Sequence, residues 1–307
     1  MVHKSSSSAD HIHIRLVKLR LIPVLFISCL FIFCTNSSDK RLNIITTNVL
    51  KSPDSLILRH DTVFELKYNN TAFKTIIKVP VTNTTIKGII IALPGWNFPA
   101  DGWCNNTKLC NTALKQGFVI ILPGMGESIY AEKIYKETRK DWSIYPTRKW
   151  VEDTLIKYIQ SNFKLLLPSQ NNYLLGLSTG ARGVALLCID CKNLFKKAAA
   201  LSGDYDPTKL KADNLYNGFY GSYNEHKERW IGSENIVLSV KEFNTPIYLG
   251  HGRKDKVVPC TQTIEFCDSL KKYKHNLQVK LHIDENAEHN YKYWDSEVDN
   301  VLNFFSN

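Results

Sequence analysis

The 307-residue chain predicts an α/β domain with one mostly parallel sheet covered by helices on both faces. Three observations point there. Short apolar runs rich in branched residues alternate with segments of helical period. Several of those runs are continuously apolar, as strands buried on both faces are. No internal repeat or Pro/Gly-rich linker divides the chain. Hydrophobic residues at 44% and aromatics at 11% exclude a disordered or low-complexity chain.

Taken in order, the chain opens on a polar lead carrying Lys4, Arg15, Lys18 and Arg20, followed by an uncharged run, LIPVLFISCLFIFC, over 21–34. The run falls short of the roughly 20 residues that span a bilayer as a helix and matches the apolar segment of a signal peptide. Export is therefore expected, to a secreted, periplasmic or cell-envelope location. A cleaved signal, a lipid-modified Cys29 or Cys34, and an uncleaved membrane anchor extending through Ser38 all stay open. Residues 1–38 are thus set apart as an address label, 39–60 as a linker or first edge segment, and 61–307 as the folded domain. His11 and His13 fall in the label and are assigned no role.

Within the domain, strands are expected at 63–68, 75–81, 88–93, 118–122, 173–177, 197–201, 247–249 and 279–283. Helical periodicity occupies 109–116, 150–163, 179–188, 263–273 and 296–305; in the second of these, Val151, Leu155, Ile156 and Ile159 share one face. The interval 204–244 has no clear strand and is rich in Tyr, Asn and Gly, as an insertion capping a site is. Its Tyr205, Tyr216, Phe219, Tyr220, Tyr223 and Trp230 are expected to pack the cap, with an aromatic or sugar-linked ligand as the alternative. The formal charge is +10, of which the leader contributes +3. The remaining Lys and Arg are scattered among acids with no basic stripe, so a nucleic-acid partner is not expected.

The strongest chemical signal is Gly176-Leu177-Ser178-Thr179-Gly180 between an apolar strand and a helix. A sharp strand-to-helix turn lifts a serine oxygen above the sheet, and small residues must flank it. Ser178 is the expected nucleophile, with Gly176 and Gly180 forming its elbow. A serine hydroxyl needs an imidazole to take its proton and a carboxylate to orient that imidazole. Asp255 follows the strand and glycine turn of GHGRKDKVVP, and His289 follows the strand at 279–283. The order Ser178, Asp255, His289 suits this sheet topology. His251 reads as a turn or packing residue, His282 lies within a strand, and Asp204 and Asp206 are weaker candidates for the acid. The backbone N–H groups of Thr179 and Trp96 are the expected oxyanion donors, the latter in Pro94-Gly95-Trp96-Asn97 after the strand at 88–93. The Gly124-Met125-Gly126 stretch reads as a loop near the pocket.

Six cysteines of the domain fall in local couples. Disulfides are expected as Cys104–Cys110, Cys188–Cys191 and Cys260–Cys267, although six cysteines admit fifteen connectivities. No metal site or organic cofactor is indicated, since His, Cys, Asp and Glu show no coordinating spacing.

The GLSTG elbow, the GHGRKDKVVP turn and the EHNYKYW segment together resemble an α/β-hydrolase, in the style of the esterase-D and feruloyl-esterase-like group and the dienelactone-hydrolase-like group, from about Asp61 to the C-terminus. The resemblance implies an eight-stranded sheet and the triad above. Pro94 stands where that family commonly has histidine. Ala181-Arg182-Gly183 replaces a run of small residues, with Arg182 read as a helix-start cation rather than an anion anchor. The expected function is an exported serine esterase working through an acyl-enzyme on a small-molecule or polysaccharide-linked ester. A serine peptidase or amidase, an acyltransferase, and a non-catalytic binding or adhesion protein are the alternatives.

Overall fold

The computed structural model describes residues 58–81 and 84–307. Eight strands form one sheet in the order β1-β2-β4-β3-β5-β6-β7-β8. They are β1 (Thr62–Tyr68), β2 (Thr71–Lys78), β3 (Gly88–Leu93), β4 (Phe118–Pro123), β5 (Asn172–Leu177), β6 (Lys197–Leu201), β7 (Ile247–Gly252) and β8 (Val279–Asp284). The first two form a hairpin closed at Asn69-Asn70, with Tyr68 opposite Thr71, and β2 runs antiparallel to β4. Every other pairing is parallel. β2 starts four residues earlier than its apolar run suggests, because Asn69 takes a left-handed conformation (φ 51°) that turns the chain back at once.

β3, β4 and β5 are buried at every residue, and alternation divides their side chains between two cores. Ile89, Ile91, Leu93, Val119, Ile121 and Leu174 face one cluster. Ile90, Ala92, Ile120, Leu122, Leu175 and Leu177 face the other. Two-sided burial is what a continuous apolar run encodes.

The helices are α1 (Gly102–Asn106), α2 (Leu109–Lys115), α3 (Arg148–Trp150), α4 (Lys157–Phe163), α5 (Thr179–Asp190), α6 (Asn214–Tyr220), α7 (Lys227–Ile231), α8 (Thr261–Tyr273) and α9 (Tyr291–Ser306). A π-helical turn, Val151–Ile156, joins α3 to α4. The last helix starts five residues before its periodic stretch, because the Asn290 side chain caps it by accepting from the Tyr293 N–H at 3.1 Å. The insertion at 204–244 contributes α6, α7 and short 3₁₀ turns. Its Tyr216, Phe219, Tyr220 and Trp230 pack with Ile129, Ala131 and Trp142 into a third apolar cluster, and Tyr205 stacks on Phe266. The first four build the cap as expected, with Tyr223 packed against them, whereas Tyr205 joins the core against the sheet.

The cysteine expectation holds for one couple. Cys104 and Cys110 are bridged, whereas Cys188, Cys191, Cys260 and Cys267 carry free thiols. Cys260 caps α8 and Cys267 lies two turns along it. Seven residues of helix separate Cα atoms by about 10 Å, beyond the roughly 7 Å a disulfide tolerates. The Cys188 side chain is buried in the core as part of α5, and it and Cys191 are both free thiols. The expectations for residues 1–38 and most of 39–60 lie outside the described residues.

Candidate active site

Ser178 sits between β5 and α5 with φ 54° and ψ −127°. That backbone is strained for a non-glycine residue by about 1–3 kcal/mol and survives only where its surroundings impose it. The surroundings here are two glycines. A methyl at Gly176 would strike the Gly180 carbonyl, and one at Gly180 would lie 2.6 Å from the carbonyl oxygens of both Leu93 and Pro94. The first turn of α5 therefore rests directly on backbone, holding the serine oxygen at the carboxyl end of the sheet.

Asp255 and His289 reach the same edge through a joint between two parallel neighbours. Gly252 of β7 pairs with Asp284 of β8. Beyond that pair the Arg253 N–H donates to the Asp284 carbonyl (2.7 Å) and the Lys254 N–H to the Ala287 carbonyl (2.9 Å). A side chain at Gly252 would collide with the Ala287 carbonyl, so only glycine lets the two loops close. The result is a continuous hydrogen-bonded chain: Ser178 Oγ lies 2.9 Å from His289 Nε2, and His289 Nδ1 lies 2.6 Å from Asp255 Oδ2. Because a carboxylate only accepts, Nδ1 carries the proton, and Nε2 is left as the acceptor for the serine hydroxyl. The imidazole edge packs against Trp294, whose indole N–H is held by Ser202 Oγ at 3.1 Å.

The Asp255 carboxylate is fully buried and fully used. Oδ1 accepts from the Val257 and Val258 N–H groups at 2.8 and 2.9 Å. Oδ2 accepts from His289 and also from His251 Nε2 at 3.1 Å. Burial alone would raise its pKa; the bonds from His251 and His289, the charge of His289 and the Val258 N–H overcome that and hold it well below the usual carboxylate range.

His251 thus corrects its reading as a turn residue. It closes β7, and both ring nitrogens are engaged: Nε2 donates to Asp255 and to the Val258 carbonyl (3.0 Å), while Nδ1 accepts from Thr263 Oγ1 (2.6 Å). Its spacing of four from Asp255 was the available signal. Asp204 and Asp206 do not orient His289; Asp206 instead caps a 3₁₀ turn and binds Asn235.

The loop carrying Trp96 is fixed from three sides. A side chain at Gly95 would crowd the nucleophile, since a methyl there would lie 3.1 Å from Ser178 Cβ. The Asn97 N–H donates to the Gly126 carbonyl (2.9 Å), so the Gly124–Gly126 loop does adjoin the site. Tyr130, itself left-handed (φ 57°), donates its hydroxyl to the Pro94 carbonyl at 2.8 Å and packs its ring on Gly183 of α5. Trp96 and Thr179 line the same cleft as Ser178. Among the described residues their backbone N–H groups have no protein acceptor.

Arg182 is neither an anion anchor nor a solvated helix-start cation. It is fully buried, and its Nη2 donates to the Glu234 carbonyl (2.6 Å), Glu234 Oε2 (3.2 Å) and the Tyr220 hydroxyl (2.9 Å). Arg148 binds the other Glu234 oxygen at 2.8 Å and Asp190 at 2.8 Å. Burial would push the Glu234 carboxyl up, but the two guanidinium groups bring its pKa below the ordinary value. This network ties the insertion to α5, one helical turn from the nucleophile.

The cleft beside Ser178 has a volume of about 350 Å³ and is walled by Trp96, Trp142, Tyr216, Leu210, Leu215 and Val258, with Asp204 and Asp213 as its charged lining. No cluster of metal-ligating side chains occurs among the described residues. The arrangement can deprotonate a hydroxyl, hold the resulting imidazolium and seat an apolar group next to the attacked carbon.

A model of the prolyl oligopeptidase family matches residues 106–307. No curated protein sequence matches the chain. Among solved structures it resembles a substrate-bound fluorophosphonate-binding serine hydrolase of Staphylococcus aureus (TM-score 0.62, 16% identity, 81% of this chain and 99% of that one). An S-formylglutathione hydrolase of Agrobacterium tumefaciens is similar (TM-score 0.64, 15% identity, 80% and 94%). So is an acylaminoacyl peptidase of Pyrococcus horikoshii (TM-score 0.61, 12% identity), of which this chain covers 41%. At these identities the likeness establishes the α/β-hydrolase fold.

Proposed function

The chain belongs to the prolyl oligopeptidase family, and from that premise we propose that it is a serine hydrolase cleaving carboxylic esters through an acyl-enzyme on Ser178. The observation that carries this reading is the unbroken chain from Ser178 Oγ to His289 to Asp255, whose serine lines a cleft. In the first step Oγ attacks the ester carbon and its proton passes to His289 Nε2. The carbonyl oxygen becomes an oxyanion facing the Thr179 and Trp96 N–H groups. Collapse breaks the bond to the leaving alcohol, which takes the proton from Nε2. Water then enters, gives its proton to Nε2, attacks the acyl carbon and frees the acid with Ser178 restored.

A fluorophosphonate probe is expected to label the wild-type protein and not S178A, and p-nitrophenyl acetate turnover to fall by about 10⁴-fold or more in S178A. A labelled or active S178A would remove Ser178 from this role, and an unlabelled wild type would favour a binding protein.

Cleavage of a peptide or amide bond is the second reading, favoured by the family itself. Its mark is turnover of an acyl p-nitroanilide at a rate comparable to that of the matching p-nitrophenyl ester. We also propose that the protein works after export. The apolar run at 21–34, which lies outside the described residues, and the Cys104–Cys110 bridge support an oxidising compartment.

A further inference from the structure

His289 is held toward Ser178 by more than its carboxylate. The 2.6 Å bond from Nδ1 to Asp255 Oδ2 fixes one atom of the ring and leaves the imidazole free to swing about it, which would carry Nε2 away from Ser178 Oγ. The start of α9 removes that freedom. Asn290, extended at φ −153°, is the N-cap, so His289 occupies the position before the cap and Trp294 the fourth position inside the helix. Side chains at those two places pack on each other and set the angle at which the chain enters the helix, a pairing normally made by two apolar residues. Here one partner is the imidazole: the rings of His289 and Trp294 lie 5.2 Å apart at 85°. Trp294 is anchored in turn. It is 1% exposed, and its indole N–H donates to Ser202 Oγ at 3.1 Å. Ser202 follows β6 in a left-handed conformation, φ 56°, with its own N–H on the Gly250 carbonyl of β7 (2.8 Å). Glycine would take that backbone without strain but would offer the indole no acceptor. The ring of Phe98, whose N–H closes the turn carrying Trp96 onto the Gly95 carbonyl (3.2 Å), lies 6.0 Å from the same indole.

Resting on the serine-hydrolase reading, we propose that Trp294 is a positioning residue, anchored by Ser202, that holds the His289 imidazole in the orientation in which Nε2 faces Ser178. Trp294 does not line the cleft, so it acts through His289 rather than on a substrate. Because the same indole meets Phe98, the base and the loop bearing one oxyanion donor rest on one rigid side chain. A misplacement of about 1 Å at the reacting atoms can cost about a hundredfold in rate, so even a partial release of the ring is read in turnover.

The test is steady-state hydrolysis of p-nitrophenyl acetate by the full chain, with kcat per folded molecule and KM measured separately and urea titration reporting the fold. W294F keeps a ring but has no N–H; S202G relieves the left-handed backbone but has no acceptor. Each is expected to lower kcat about three- to tenfold. KM should stay within about twofold, because His289 takes a proton in both acylation and deacylation and the two slow together. The double variant S202G/W294F is expected to be no slower than the slower single variant, since both changes break one bond. W294L, which has no ring, is expected to lose about tenfold or more in kcat. Wild-type kcat in any of the three single variants overturns the proposal, and so does a double variant whose loss is the product of the two single losses, or a loss that appears in KM alone. Should W294L fail to fold, the cycle of S202G and W294F decides. A wild type that neither hydrolyses the ester nor labels with a fluorophosphonate would sink the serine-hydrolase reading and this proposal with it, whereas an active wild type matched by its variants sinks this proposal alone.

Discussion

Two substitutions at His251 separate its contacts, because its nitrogens do different work. Glutamine places an amide N–H near the ring position of Nε2 and retains a donor to Asp255. Asparagine places its oxygen near Nδ1 and retains only the acceptor for Thr263. In H251N the buried Asp255 Oδ2 loses its 3.1 Å bond and keeps His289 alone, so a lone pair in a fully buried carboxylate goes unmet. A hydrogen bond to a charged group contributes about 1.5–3 kcal/mol, which converts to roughly 10- to 150-fold if all of it appears in the transition state. H251N is therefore expected to lower kcat about tenfold or more with KM little changed, while H251Q stays within about tenfold of wild type. A carboxylate with fewer donors holds a neighbouring imidazolium more strongly. The acid limb of the pH–rate profile should accordingly move to higher pH in H251N. The assay is steady-state hydrolysis of p-nitrophenyl acetate across pH, with circular dichroism to confirm folding. Equal losses in both variants, or an acid limb that stays put in H251N, would show that His251 only fills space.

Other outcomes follow from the same geometry. G95A puts a methyl 3.1 Å from Ser178 Cβ and 2.9 Å from Leu177 Cδ1, so kcat should fall while urea stability drops by no more than about 1–3 kcal/mol; unchanged kcat would mean the Trp96 loop is not tied to the serine. E234A strands Arg148 and Arg182, both buried, and should cost about 3–5 kcal/mol in denaturant titration; a loss below about 1 kcal/mol would make the network incidental. Asp255 is depressed in the folded state, so the stability it contributes is fully present above the unfolded carboxyl value of about 4 and is lost as pH falls below it. The acid unfolding curve of D255N should be flatter there, and an identical slope would contradict the assignment.

Strands buried on both faces and a helix opening on GLSTG were legible because each is written in consecutive residues. β3 and β6 fall at the bounds their apolar runs mark, and Ser178, Asp255 and His289 converge as their positions after strand ends suggest. The misreadings share a cause. Cys260 and Cys267 look like a couple in a linear text, but a helix holds them two turns apart. His251 sits in a glycine turn by composition, yet its role depends on Asp255 and Thr263 reaching it in space. Tyr130 and Arg182 carry no motif at all, because their partners Pro94 and Glu234 are 36 and 52 residues away.

Periodicity and turn chemistry are local properties, and from them the sequence alone determined an α/β sheet, the direction of its strands and the edge at which a serine, an aspartate and a histidine should meet. The folded chain decided everything that depends on atoms distant along the backbone. That includes which thiols are bridged, which second imidazole braces the carboxylate, and what charge the cleft presents. The division is physical. A residue's preference for strand, helix or turn is set by its near neighbours, whereas the completion of a buried donor or acceptor is set by whatever long-range packing brings within about 3 Å of it.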